Sequence, residues 1–335
     1  MAGLLGSVAL IVVATVVIWK GSTYFERAAE RLSRYYGLPV AVHGAIVVAV
    51  GSSFPEISSV VISTVVHDEF SLGVGAIVGS AIFNLLVIPA LAALSSEELR
   101  STRDIVHKDA QFYVISILIL FIVFALGATY VPGGTNRAAI LTPTLAAIPL
   151  VTYGIYVFLH QQDASEHVAN ETNSVRPGRE WGMLGVGLVV ITVGVEGMVQ
   201  GALSLGVIFD TPTFLWGLTV IAAGTSLPDA FVSIRAAKDD DSVTSLTNVL
   251  GSNTFNLLVA IPVGVFLAGR ATIDFLVAIP TMGFLGFATL VFIVFIRTDL
   301  ELSDREAYTL LGLYVVFVCW MALESIALIE TVSGI

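Results

Sequence analysis

The stretch AAGTSLPDAFVS, residues 222–233, sets a proline and then an aspartate, Pro228 and Asp229, in the middle of a long apolar run. Hydrocarbon penalises both. Proline cannot donate to the carbonyl four residues back, here Gly224. An acid at mid-bilayer costs roughly 2.5–3.5 kcal/mol on insertion scales, so it is rarely incidental. The chain makes nearly the same move earlier: in GAIVVAVGSSFPE, which starts at Gly44, Pro55 frees the carbonyl of Gly51 and Glu56 follows at once. Irregular backbone at that depth survives only where it is buried in protein or lines a hydrated cavity.

The surroundings of both stretches are those of a membrane protein. The chain has 335 residues, 56% hydrophobic and 12% charged, with a mean hydropathy of +0.92. A soluble domain carries about 25% charge. Apolar stretches near the length that crosses a bilayer recur from end to end. They predict an all-α polytopic fold with ten spans, at 3–19, 40–66, 71–94, 110–128, 138–160, 182–205, 212–234, 243–267, 272–296 and 306–330. The first has the pattern to continue past Lys20 towards Leu32, and it lacks the features of a cleaved leader. The longest polar stretch is only 161–180, so no separate soluble domain is expected. The single Cys319 excludes a disulfide within the chain. A net charge of −11 argues against nucleic-acid binding, and a lysine-poor acidic surface suits a high-salt habitat.

Charge gives the orientation. With ten spans, only Arg137 and Arg270 fall on the side holding both termini; the other 13 of 15 basic residues fall opposite. The positive-inside rule then makes the basic side cytoplasmic, with both termini outside a plasma membrane.

The chain also repeats itself. GAIVVAVGSSFPE matches GLTVIAAGTSLPD from Gly217, and GSAIFNLLV from Gly79 matches GSNTFNLLV from Gly251 at seven of nine positions. Asp229 stands 173 residues after Glu56, and Ser252 stands 172 after Ser80. Five spans per copy is an odd number, so the copies enter the membrane from opposite sides. Two inverted five-helix repeats are expected, at 1–160 and 182–335, joined by a short cytoplasmic linker at 161–181. Inverted repeats meeting at the midplane are the architecture of secondary transporters.

Glu56 and Asp229 occupy matching positions of opposed copies and should face each other. A cation between them removes their repulsion. Helical spacing puts Ser52 and Ser53 on the face of Glu56, and Thr225 and Ser226 on that of Asp229. Ser80 with Asn84, and Ser252 with Asn256, repeat an i, i+4 pair on the following helices. These are hard oxygen donors, suited to calcium, sodium or magnesium and not to zinc or copper.

The four motifs, GSSFPE with GSAIFN and GTSLPD with GSNTFN, resemble the two alpha-repeat signatures of the sodium/calcium exchanger family, in the cation/calcium antiporter superfamily. The resemblance is close over about 40–94 and 184–267, and covers the ten-helix layout throughout. It implies alternating access, more than two sodium ions per calcium, and sliding of the first and sixth helices across the rest. Carried over residue by residue, it makes Glu56 and Asp229 shared calcium and sodium ligands, with Ser52 and Thr225 at calcium-contacting positions. Ser53, Ser226, Ser80 and Ser252 match sodium-site hydroxyls, the carbonyls of Ala49 and Ala222 match backbone ligands, and Asn84 and Asn256 close the centre. Three positions depart from the family pattern. Ser52 stands where threonine is usual, Asp229 where prokaryotic members commonly have glutamate, and Asn256 where the potassium-dependent branch has aspartate. Independence from potassium is therefore expected. The 161–181 linker is too short for calcium-sensing regulatory domains. The expected partners are calcium, sodium and the bilayer, with no cofactor and a functional monomer.

Other residues read as structure. Glu196 and Glu324 are expected to pair or sit at an interface, His43 to pack, and the KDDD run from Lys238 to form a solvated turn. Asn170 begins a glycosylation triplet on the side read as cytoplasmic, where it is not used. Proton-driven calcium exchange on the same fold stays open as a rival, although the GN pattern of proton-coupled relatives is missing. A passive cation channel is a rival of a different class. An intramembrane aspartyl protease is disfavoured by the absence of its motifs.

Overall fold

The computed structural model describes residues 2–36, 49–134, 138–163 and 176–325. The chain is mostly helical. Among these residues eight helices are long and apolar enough to cross a membrane, and nine if the pair Thr213–Thr225 and Leu227–Lys238, bent by 44°, is one span. The expected span at 40–66 lies partly outside the described residues; its described part is two short helices, α2 (Ala49–Ser52) and α3 (Phe54–Val65). His43 and Asn170 lie outside them too.

Two helices are unusually long. α1 (Ala2–Tyr35) runs beyond Lys20, as its pattern allows, and α8 (Pro177–Phe209) extends past both ends of the expected 182–205. Charged residues end an apolar stretch without ending a helix, since Glu, Lys and Arg are good helix formers. α1 and α8 lie along one another, and small residues let their backbones meet. A Cβ on Gly21 would stand 2.8 Å from the amide nitrogen of Ile191, and one on Gly187 would stand 2.8 Å from that of Phe25. Close approach at glycine is how membrane helices associate where lipid supplies no hydrophobic drive. One end of the pair is closed by Arg31 on the buried Glu180 at 3.2 Å. On its outer face α1 exposes Val8, Val12 and Val16, and α8 exposes Val186, Val189 and Val193, an apolar surface for lipid.

The other elements form the body. α4 (Phe70–Leu86) and α5 (Ile88–Ser95) follow α3 and together make one span. Every residue of α4 except Ser71 is buried, as expected of a helix apolar all round. α6 (Ala110–Thr129) and α7 (Pro143–Asp163) complete the first half. The second half has the short α9 (Thr213–Trp216), a wide π-turn at Gly217–Ile221, then α10 (Ala222–Thr225) and α11 (Leu227–Lys238). α12 (Ser242–Phe255), α13 (Ile261–Ala268), α14 (Phe275–Arg297) and α15 (Asp304–Ser325) follow.

α4 crosses the wide turn at very short range. A Cβ on Gly79 would lie 2.1 Å from the Leu218 carbonyl oxygen, and one on Gly217 would lie 2.2 Å from that of Leu72. The halves are therefore locked backbone to backbone, immediately beside Ser80.

Two expected helical starts are strands. Ala138–Leu141 (β2) and Ala271–Asp274 (β3) pair antiparallel, Leu141 opposite Ala271. A second ribbon joins Leu99–Arg100 (β1) to Glu301–Leu302 (β4). Each ribbon links one half to the other and satisfies backbone groups where helices end.

Candidate cation site

Both broken helices break one residue earlier than their prolines suggest. Ser53 (φ −89°, ψ 7°) and Ser226 (φ −81°, ψ −5°) have almost the same backbone, at the edge of the helical region, and each precedes a new helix. Pro55 and Pro228 then sit in the first turn of α3 and α11, where the missing donor costs nothing. Glu56 and Asp229 occupy that same first turn, at the positive end of the helix dipole. That position alone would suit any acid; their surroundings do not.

Every polar side chain of the four motifs is buried. Glu56, Asp229, Ser53, Ser80, Asn84, Thr225, Ser226, Ser252 and Asn256 have no exposure, and Ser52 has 1%. The hydroxyls cross over. Because the helix breaks at Ser53 and Ser226, the expected i−4 and i−3 pairing of each acid with its own serines gives way to pairing with the opposite half. Thr225 and Ser226 face the Glu56 carboxylate, with Ser226 Oγ 3.4 Å from Glu56 Oε1. Ser52, Ser252 and Asn84 face Asp229, with Asn84 Nδ2 3.3 Å from Asp229 Oδ2. Ser226 Oγ also donates to Ser80 Oγ at 2.8 Å, and Ser52 Oγ lies 3.1 Å from Ser252 Oγ. Each contact joins one half of the chain to the other.

Thr225, Ala222, Asn256 and Ala49 complete the predicted set. Thr225 donates its hydroxyl proton to its own helix, at the Ile221 carbonyl 3.0 Å away, leaving only its lone pairs for the centre. The Ala222 carbonyl already accepts the Ser226 amide at 3.2 Å. Asn256 is buried at the start of the π-turn Asn256–Ala260, and neither of its amide atoms has a partner. Ala49 begins α2, on the backbone just before the first break.

The decisive feature is what these groups lack. Glu56 Oε2, Asp229 Oδ1, Ser53 Oγ, Asn84 Oδ1 and Asn256 Oδ1 are buried with no hydrogen-bond partner. A buried oxygen left unpaired costs about 1–3 kcal/mol, and more when charged. Unpaired buried oxygens of this kind, two of them on carboxylates, are the donor type that a hard cation takes. Among the described residues no three His, Cys, Asp or Glu side chains gather to hold a metal, so the centre has two acids completed by hydroxyls and amides.

Comparison with known proteins agrees with this geometry. The sequence model of the family described as sodium/calcium exchanger protein matches residues 6–160 and 179–323. The chain belongs to the sodium/calcium exchanger family. The sodium/calcium exchanger MaX1 of Methanosarcina acetivorans is 24% identical over 343 residues, covering 92% of this chain and 96% of its own. Inner membrane protein YrbG of Escherichia coli K12 is 28% identical over 260 residues, covering 76% of this chain and 77% of its own. A structure of the sodium-calcium exchanger NCX_Mj, soaked with 10 mM Na+ and zero Ca2+, superposes with a TM-score of 0.63 at 22% identity. It covers 94% of this chain and 99% of that one, and shows the fold. The protein is thus a multi-pass membrane exchanger of the cation/calcium class.

Two residues of the exchanger escaped the sequence reading. Asn253 holds Asn84 in place: Asn84 Nδ2 donates to Asn253 Oδ1 at 3.0 Å, and Asn253 Nδ2 donates to the Ala81 carbonyl at 3.1 Å. Its counterpart in the first motif is Ala81, so matching the two copies passes over it. Glu26 of α1 lies against the first break, its Cγ 3.8 Å from where a Cβ on Gly51 would be. Nothing in its local sequence separates it from the other charges at that end of α1. Glu196 pairs with His67 at 3.0 Å, as its structural reading expects, and Glu324 is buried.

Proposed function

We propose that this exchanger moves calcium against sodium by alternating access through the single centre built on Glu56 and Asp229. The observation that carries this is the pair of sealed carboxylates from opposite halves, each with an unpartnered oxygen, inside a ring of hydroxyls and amides. Two carboxylates neutralise one Ca2+, and the hydroxyl-rich shell suits dehydrated Na+. Relatives named sodium/calcium exchangers support sodium as the coupling ion.

The proposed architecture is ten spans in two inverted repeats, at 1–160 and 182–335. The crosswise ribbons support it: β1, which follows the first GSAIFN segment, pairs with β4, while β3, which follows GSNTFN, pairs with β2. That reciprocity is what a two-fold axis in the membrane plane produces. It also groups the loops of Arg100, Arg297 and Arg305 on one side and that of Arg270 on the other, in keeping with both termini outside a plasma membrane. α1 and α8 form the moving layer. The two breaks are touched by it at Gly51, near Phe25 and Glu26, and at Gly224, near Met198 and Thr15, so sliding uncovers one or the other. The unit is a monomer, and calcium, sodium and bilayer are its only partners.

The test is uptake of labelled calcium into sodium-loaded proteoliposomes. Wild type accumulates calcium under an outward sodium gradient without potassium, and Glu56→Gln does not. Parent-rate uptake by Glu56→Gln removes the centre from the mechanism. Full replacement of sodium by a proton gradient establishes the proton-coupled alternative instead.

A further inference from the structure

The centre accounts for two carboxylates, and positions 84 and 256 are both amides. A third acid approaches from the layer that covers the breaks. Glu26 sits on α1 with its aliphatic stem against Gly51, the residue before Ser52. Its carboxylate is within electrostatic reach of Asp229. Its Oε1 is buried and has no hydrogen-bond partner.

What lies on the other side of Glu26 is a cleft of about 380 Å³ between α1 and α11, which are held together there by Trp19 stacked on Phe231 at 4.8 Å. Lys20, Arg27 and Arg235 line it, and so does Pro228, the residue before Asp229. Among the described residues Glu26 is its sole lining acid. The cleft thus leads from a surface bearing three cations to the backbone of the Asp229 break. Such a passage repels Ca2+ and Na+ unless a negative group stands within it. An acid serving only to balance the basic side chains would direct both oxygens at them. Instead one oxygen is turned into the protein and left open.

We propose that Glu26 is a staging site for the transported cation, holding Ca2+ or Na+ between the Lys20, Arg27 and Arg235 face and the Glu56–Asp229 centre. The proposal rests on the antiporter reading. It adds a second cation position, distinct from the centre, since Glu26, Glu56 and Asp229 do not gather as one metal-holding group. Because Glu26 rides on α1, sliding of the α1–α8 layer across the body would carry this carboxylate relative to the fixed pair, coupling delivery of the ion to movement of the layer.

The experiment measures sodium-driven calcium uptake in right-side-out and everted membrane vesicles, for wild type, Glu26→Gln, Glu26→Asp and Glu56→Gln. Staging predicts that Glu26→Gln raises the calcium KM about ten-fold or more at the face carrying the cleft, as loss of local cation concentration requires. At the opposite face KM stays within two-fold, and Glu26→Asp restores part of the loss. Unchanged KM at both faces overturns the proposal while leaving the antiporter intact. An equal rise at both faces also overturns it, because the residue then belongs to the centre. If neither Glu26 variant yields monodisperse protein, the carboxylate is holding the fold and staging is wrong. Failure of wild type to exchange sodium for calcium refutes the antiporter reading itself, a result separate from all of these.

Discussion

Replacing Gly79 by alanine tests whether the contact between the halves sets the geometry of the centre. The new Cβ would lie 2.1 Å from the Leu218 carbonyl oxygen, 2.6 Å from its carbon and 2.7 Å from the Ala222 Cβ. Two of these neighbours are backbone and cannot rotate away. Ordinary contact begins near 3.4 Å, so α4 and the Gly217–Ile221 turn must part by about 1.3 Å. Overpacking of this kind costs about 1–3 kcal/mol. Ser80 is the next residue, and its 2.8 Å contact with Ser226 opens beyond hydrogen-bond range. A displacement of about 1 Å in a positioned site can reduce turnover on the order of 100-fold. Gly283→Ala is the control, since nothing lies within 4 Å of a Cβ there. Thermal unfolding in detergent and sodium-driven calcium uptake are measured on both. Gly79→Ala should unfold several degrees below wild type and transport little, while Gly283→Ala matches wild type or gains slightly from better helix propensity. If Gly79→Ala unfolds and transports like the parent, the reasoning from this crossing is wrong.

Asn253→Ala removes the acceptor of the Asn84 amide and the donor to the Ala81 carbonyl, at about 1–3 kcal/mol for the buried groups left unpaired. Calcium affinity should fall about ten-fold in a flux-competition assay, and an unchanged affinity removes Asn253 from the site's support. Arg31→Ala strands the buried Glu180 carboxylate and should lower stability by about 1–3 kcal/mol, read as the unfolding midpoint. Adding Glu180→Gln to Arg31→Ala should recover much of that loss, because the uncompensated charge is then gone; no recovery would mean that Arg31 contributes by packing alone.

The acids and amides of the centre were legible because two copies of one pattern recur at a fixed offset, and hydrocarbon makes each polar residue in them expensive. The way the centre is wired was not. Helical spacing assigns Ser52 and Ser53 to Glu56, yet the break at Ser53 turns Ser52 towards Ser252 and Asp229, and Ser226 reaches over to Glu56. Matching the copies also hides a residue present in one only, as Asn253 is. Glu26 has no motif, and its standing depends entirely on lying beside Gly51.

From the sequence alone came the membrane class, the internal repeat, the pair of carboxylates and the hard oxygen donors of the proposed centre, because the cost of burying charge in lipid acts on every residue wherever the chain goes. Only the tertiary structure decided which hydroxyl serves which acid, where the strands replace helix, and that α1 brings a third carboxylate to the breaks. Those are contacts between segments far apart in the chain, fixed by close backbone crossings such as Gly79 on Leu218 that no local periodicity encodes.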